Sequence, residues 1–148
     1  MSAKVPLVVD RKRVIFIEDD ADLLEAVSSL LREMFAVWVG RSGEQGLEVA
    51  GELGFDADVL LVDLALGEGM RGDQFVTEYR KRAKRDVPVV ILSGAPRAYE
   101  IAKSLRASAV LPKPVEADEL LGTIRLFARR SDSGSRQGGS ATNIAAGG

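Results

Sequence analysis

A chain of 148 residues, 46% of them hydrophobic and 28% charged, suits one compact domain around one buried core. It has neither cysteine nor histidine, which excludes disulfides, thiolate nucleophiles, imidazole bases and the commonest zinc ligands, so any chemistry rests on carboxylates, hydroxyls and amines. The net charge of −2, with acids and bases interspersed, gives no field that would draw nucleic acid or an anionic membrane, and no apolar run approaches a membrane span.

Residues 1–12 read as an N-terminal extension. Its Val5-Pro6-Leu7-Val8-Val9 stretch is too short for a signal sequence, and a frayed terminus is expected, with an added strand or docking segment as the alternative. A cytoplasmic protein is expected. The first strand is Val14-Ile15-Phe16-Ile17. After it Leu23, Leu24, Val27, Leu30, Leu31 and Met34 form an apolar stripe at helical spacing, with Asp22 and Glu25 as a capping pair. Ala36-Val37-Trp38-Val39 follows as a second strand, where Trp38 suits core or edge packing. The segment from Glu44 to Leu53 is the weakest helix, because Gly46 and Gly51 both cost helix stability.

Val59-Leu60-Leu61-Val62 is the third strand, and Phe75, Val76 and Tyr79 mark the third helix. The run Arg80-Lys81-Arg82-Ala83-Lys84-Arg85 places cations at that helix's carboxyl end, where they suit its dipole. Val87 to Leu92, interrupted by Pro88, is the fourth strand. Ile101, Ala102 and Leu105 mark the fourth helix, Ala109-Val110-Leu111 the fifth strand, and Leu120, Leu121, Ile124 and Phe127 the fifth helix. Beyond Arg130 the sequence is rich in glycine and serine with little to bury, so 131–148 reads as a flexible tail.

Strands that are apolar on every residue suit a parallel sheet covered on both faces, and strand–helix alternation five times over demands right-handed crossovers. The expectation is a doubly wound five-stranded α/β domain over residues 13–130. Ligands of such sheets bind outside the carboxyl ends of the strands. The first polar residues there are Glu18-Asp19-Asp20 after strand 1, Asp63 after strand 3, Ser93-Gly94 after strand 4 and Lys113 after strand 5. Each alone has an ordinary reading as a cap, a turn or a solvated charge. Together they crowd Glu18, Asp19 and Asp63, which is unfavourable unless a cation is shared. Hard carboxylate oxygens without His or Cys favour Mg²⁺, and a carboxylate facing Mg²⁺ can attack phosphorus to form an aspartyl phosphate. Ser93 and Lys113 then suit the phosphoryl oxygens.

The motifs VIFIEDDADLL, VLLVDLALGEGMRG, VILSGAP and VLPKP, in this order and spacing, make the chain resemble the receiver domain of two-component response regulators. The resemblance covers residues 13 to 130. It implies the flavodoxin-like strand order 2-1-3-4-5, a phosphoacceptor at Asp63, and Mg²⁺ held by Glu18, Asp19, Asp63 and the backbone carbonyl of Ala65. It also implies phosphate binding by Ser93 and Lys113, switch positions at Ser93 and Val110, and a cis bond before Pro114. The implied partners are a histidine kinase or phosphotransfer protein as donor and a downstream target protein, with neither nucleic acid nor membrane. A homodimer through the fourth helix, fifth strand and fifth helix is a further option within the family. The loop DLALGEGMRG resembles receivers fused to sensor kinases, so both a single-domain regulator and a module of a larger sensor protein stay open.

Three positions depart from the family pattern. Gly67 replaces the usual proline four residues after the phosphoacceptor, and a more flexible loop is expected, with Gly72 opening the third helix. Ala65 brings no polar side chain to a position that modulates water access. Val110 stands where an aromatic is usual, so a smaller rearrangement of the helix 4, strand 5, helix 5 face is expected. An aspartyl phosphohydrolase of the haloacid-dehalogenase kind would need a second Asp where Ala65 stands. A binding module that no longer cycles phosphate would not need Asp63, Ser93 and Lys113 all intact.

Overall fold

The computed structural model describes residues 11–136. Five strands alternate with five helices: β1 Arg13–Ile17, α1 Ala21–Leu31, β2 Ala36–Gly40, α2 Gly43–Glu52, β3 Val59–Asp63, α3 Gly72–Arg82, β4 Val89–Ser93, α4 Ala98–Leu105, β5 Ala109–Pro112 and α5 Ala117–Arg136. All four strand pairs are parallel, and the sheet order is β2-β1-β3-β4-β5. This is the doubly wound architecture expected from the apolar runs.

The pleat explains why those runs carry no polar alternation. Val14 and Phe16 of β1 point to one face, where they join Leu24, Val27 and Leu31 of α1 and Leu120 and Ile124 of α5. Ile15 and Ile17 point to the other face and pack with Phe75, Val76 and Tyr79 of α3 and Ala102 of α4. Both faces are covered, so every residue of β3 and β4 is buried. Trp38, half-buried on the edge strand β2, packs against the second cluster.

Local signals fix the helix starts. Asp20, not the expected Asp22–Glu25 pair, caps α1: its side chain accepts from the N–H of Leu23 at 3.1 Å. Asp22 lies two residues too late, inside the first turn of the helix. Ser42 caps α2 in the same way through the N–H of Gln45. Gly72 opens α3 because nothing larger fits. A Cβ there would overlap the Asp63 carbonyl oxygen and stand 2.9 Å from Leu64 Cα. The backbone of α5 continues through Arg136, past residue 130 where the tail was expected to begin. Residues 1–10 of the expected extension at 1–12, and 137–148 of the expected tail, lie outside the described residues.

The end of the sheet that carries the strands' amino termini is closed by charge pairing. Arg85 lies 2.6 Å from Asp56 and 2.9 Å from Asp58, and the N–H of Arg13 donates to Asp58 at 2.7 Å. Three other cations of the 80–85 run are also engaged. Arg80 donates to the carbonyl of Leu105, while Lys81 and Arg82 both reach Glu78.

Candidate functional site

At the carboxyl edge of the sheet, β1, β3 and β5 each deliver one charged side chain to the same point. Glu18, directly after β1, and Asp63, the last residue of β3, are both buried, and Lys113, directly after β5, reaches over them. Its Nζ lies 2.9 Å from Glu18 Oε1 and donates to Asp63 Oδ2 at 3.0 Å. The Lys113–Pro114 bond is cis. Ligand oxygens of Glu18, Asp19 and Asp63 lie within 4.8 Å of one another.

The remaining contacts orient these groups. The N–H of Asp20 donates to Glu18 Oε2 at 3.1 Å, and the N–H of Ala65 donates to Asp63 Oδ1 at 2.9 Å. Glu18 Oε1 is the one buried side-chain polar atom among the described residues without a hydrogen bond, although it faces the Lys113 ammonium as an ion pair. Burial pushes the Glu18 carboxyl up from its ordinary value, and the pull of Lys113 and the Asp20 N–H only partly offsets this. For Lys113, burial works to lower the ammonium's pKa. Its bonds to Glu18 and Asp63 outweigh burial and hold it above the ordinary lysine value.

These observations fit a small hard cation. Three carboxylates crowd together, the one ammonium among them pairs with only two, Glu18 and Asp63, and every side-chain ligand atom is oxygen. Glu18, Asp19 and Asp63 could hold such an ion.

Ser93 ends β4, and its hydroxyl accepts from the N–H of Ala95 at 3.0 Å. The N–H of Lys113 in turn donates to the Ser93 carbonyl at 3.0 Å, so strands β4 and β5 are tied where both residues leave the sheet. Val110, opposite Ile91 in register, packs against the Ile15 and Ile17 face of the core. It lines a cavity of about 220 Å³ together with Ser93, Tyr99, Pro112 and Lys113. Tyr99 of α4, which lines the same cavity, is 64% exposed.

The β3–α3 loop was expected to be more flexible because of Gly67, yet it is tied at two points. The N–H of Gly67 donates to Asp19 Oδ2 at 2.9 Å, and the N–H of Met70 donates to Glu44 Oε2 at 3.0 Å. Sequence reasoning missed both bonds. Backbone donors leave no side-chain signature, and Glu44 sits in the segment whose two glycines make it the weakest helix in sequence.

An open, doubly wound sheet with a carboxylate cluster, a hydroxyl and a lysine at its carboxyl edge defines a class of α/β proteins that act at the strand ends. Residues 14–125 match the response regulator receiver domain, and the chain belongs to that family. It is 31% identical over 122 residues to the transcriptional regulatory protein DltR of Streptococcus agalactiae, covering 80% of this chain and 53% of that protein. It is 33% identical over 125 residues to the DNA-binding response regulator MtrA of Mycobacterium tuberculosis, covering 82% of this chain and 53% of that one. The chain thus spans about half the length of these curated relatives. Among solved structures, the CheY-like receiver domain protein of Methanospirillum hungatei superposes with a TM-score of 0.73 at 21% identity, over 84% of this chain and 98% of its own. Chemotaxis protein CheY4 of Vibrio cholerae gives 0.70 at 24% identity, over 79% and 98%. At these identities the structural likeness speaks for the fold. Receiver domains serve two-component signalling, with phosphorylation and Mg²⁺ as general features of the family.

Proposed function

We propose that this chain is a phosphoacceptor switch that takes a phosphoryl group from a histidine kinase or phosphotransfer protein onto Asp63. The observation that carries the reading is the position of Lys113 Nζ between two buried carboxylates, 2.9 Å from Glu18 and 3.0 Å from Asp63. An ammonium so placed is ready to shift from Asp63 to a phosphoryl oxygen once one is attached there. In the forward step a carboxylate oxygen of Asp63 bonds to phosphorus as the P–N bond of the phosphohistidine breaks, and the imidazole leaves with the electron pair. In the return step water cleaves the acyl phosphate, restoring the carboxylate and releasing inorganic phosphate.

The residues divide the work. Glu18, Asp19, Asp63 and the carbonyl of Ala65 would hold Mg²⁺, which when bound neutralises charge on the phosphoryl group. Lys113 and the Ser93 hydroxyl bind phosphoryl oxygens. The Ala65 N–H keeps Asp63 oriented, while the small Ala65 side chain neither holds nor repels the hydrolytic water. Ser93 and Val110 form the switch region, leading toward the face built by α4, β5 and α5, where Tyr99 and Leu126 are exposed and where a target protein or a second copy would dock. The names DltR and MtrA speak of transcription and DNA for proteins about twice as long, and the reading for this chain is protein–protein signalling. No helix among the described residues is long and apolar enough to cross a membrane, and a cytoplasmic place is part of the proposal.

Acetyl phosphate with Mg²⁺ tests the reading. Mass spectrometry is expected to find one labile phosphoryl group on the wild type and none on Asp63→Asn. A wild type that gains none, or an Asp63→Asn that gains as much, sinks it.

A further inference from the structure

Glu18 and Asp63 are buried and each receives a backbone N–H from two residues further along the chain, as well as the Lys113 ammonium. Asp19 is different. It is only half-buried, and among the described residues the one hydrogen bond to its side chain comes from the Gly67 N–H, 48 residues away in sequence. We propose that this N–H is a positioning group for the cation site: it fixes the Asp19 carboxylate in its ligating orientation, and Glu44 holds in place the loop that carries it. The inference rests on the reading of Asp19 as a cation ligand and adds what orders that ligand.

A carboxylate offers about four lone-pair sites, so an N–H on Oδ2 leaves the others free for a cation. Fixing one rotamer in advance removes an entropy cost that cation binding would otherwise bear. The approach is close: a Cβ on Gly67 would stand 3.1 Å from Asp19 Oδ2. A proline at this position would have no N–H to give. At the loop's other end Met70 donates to Glu44 in the first turn of α2. Between the two ties Gly69 adopts φ +91°, where a Cβ would meet the Glu44 carboxylate at 2.9 Å. The loop is thus fastened to the cation site at one end and to α2 at the other. By linkage, a cation that stabilises Asp19 in this orientation also stabilises the loop.

The test measures Mn²⁺ binding to the full chain by electron paramagnetic resonance of the free ion, with circular dichroism melts as a check on folding. Gly67→Pro, which removes the donor, is expected to bind Mn²⁺ about tenfold more weakly, and Gly67→Ala, which keeps it, to stay within about threefold of wild type. Glu44→Ala, remote from the ion, is expected to weaken binding about threefold by freeing the loop. Amide exchange gives a second readout: Mg²⁺ should slow exchange of the Gly67 amide in the wild type, and Glu44→Ala should speed it. Equal or tighter Mn²⁺ binding by a folded Gly67→Pro overturns the proposal. Should that variant not fold, Gly67 exchange that Mg²⁺ leaves unchanged overturns it instead. A wild type that binds no Mn²⁺, or an Asp63→Asn that binds it equally, overturns the phosphoacceptor reading as well, so the two failures are distinguishable.

Discussion

Replacing Asp63 by asparagine should make the metal-free protein more stable, even though it deletes one of the two carboxylates paired with the half-buried Lys113. The Asp63 charge sits 3.0 Å from Lys113 Nζ, an attraction of about 5.5 kcal/mol at an effective dielectric constant of about 20. It also faces Glu18 and Asp19 with ligand oxygens within 4.8 Å, repulsions of about 3.5 kcal/mol each or about 7 kcal/mol together. The balance favours removing the charge by about 1 to 2 kcal/mol, and the asparagine carbonyl can still accept from the Ala65 N–H. For a domain of this size that is a rise of about 4 to 8 °C in Tm. Saturating Mg²⁺ should reverse the order. It stabilises the wild type by about 2.7 kcal/mol at one hundred times Kd, and the variant, lacking one ligand, by much less. Thermal melts followed by circular dichroism, with Mg²⁺ and with chelator, decide the matter. An Asp63→Asn protein that is less stable than wild type in chelator by more than about 1 kcal/mol would refute the reasoning, because the lysine pair would then outweigh the carboxylate crowding.

Other positions give simpler tests. Gly72→Ala should lower stability by about 3 kcal/mol or more in urea unfolding, since a Cβ collides with the backbone of Asp63 and Leu64 and neither can move without shifting the site. Tyr79→Phe should cost about 1 to 2 kcal/mol by stranding the buried Ala57 N–H, which donates to the phenol oxygen at 2.9 Å. Burial holds the Tyr79 phenol above its ordinary value of 10.0, against the weaker opposing pull of the Ala57 N–H. The stability this group supplies is therefore complete below pH 10 and lost as pH climbs through the raised value, a loss that Tyr79→Phe should not show in alkaline melts. Beryllofluoride with Mg²⁺ should move the amide resonances of α4, β5 and α5 only slightly, because Val110 offers no ring to turn inward. Large shifts across that face would contradict this.

The legible part of the fold was the part written in side chains of one kind. Runs such as Val59 to Val62 and Val89 to Leu92 announce strands covered on both faces, and the polar residue that ends each run marks the edge where ligands bind. Glu18, Asp63 and Lys113 could thus be assigned to one site from sequence, because all three follow or end strands of one parallel sheet whose carboxyl ends share an edge. Helix boundaries were less legible. Asp20 and Asp22 are chemically alike, and only backbone conformation decides which one caps α1. The ties from Gly67 to Asp19 and from Met70 to Glu44 were not legible at all, since their donors are main-chain groups that every residue but proline possesses.

The two ends of the sheet treat charge in opposite ways, and the contrast separates structure from function. Where the strands begin, Asp56 and Asp58 are matched by Arg85, and Asp58 also accepts from the Arg13 N–H, so acids inserted beside the core are satisfied within the fold. Where the strands end, Glu18, Asp19 and Asp63 crowd their ligand oxygens within 4.8 Å, and the one ammonium there pairs with Glu18 and Asp63 alone. A sequence under pressure only to fold would match the second set as it matches the first, for instance with another arginine from α3 or α4. Folding alone gives no reason to keep excess negative charge beside a buried carboxylate, because the crowding lowers stability. On the proposed reading, a cation followed by a phosphoryl group would supply that reason: the first needs more carboxylates than the fold neutralises, and the second needs the ammonium of Lys113.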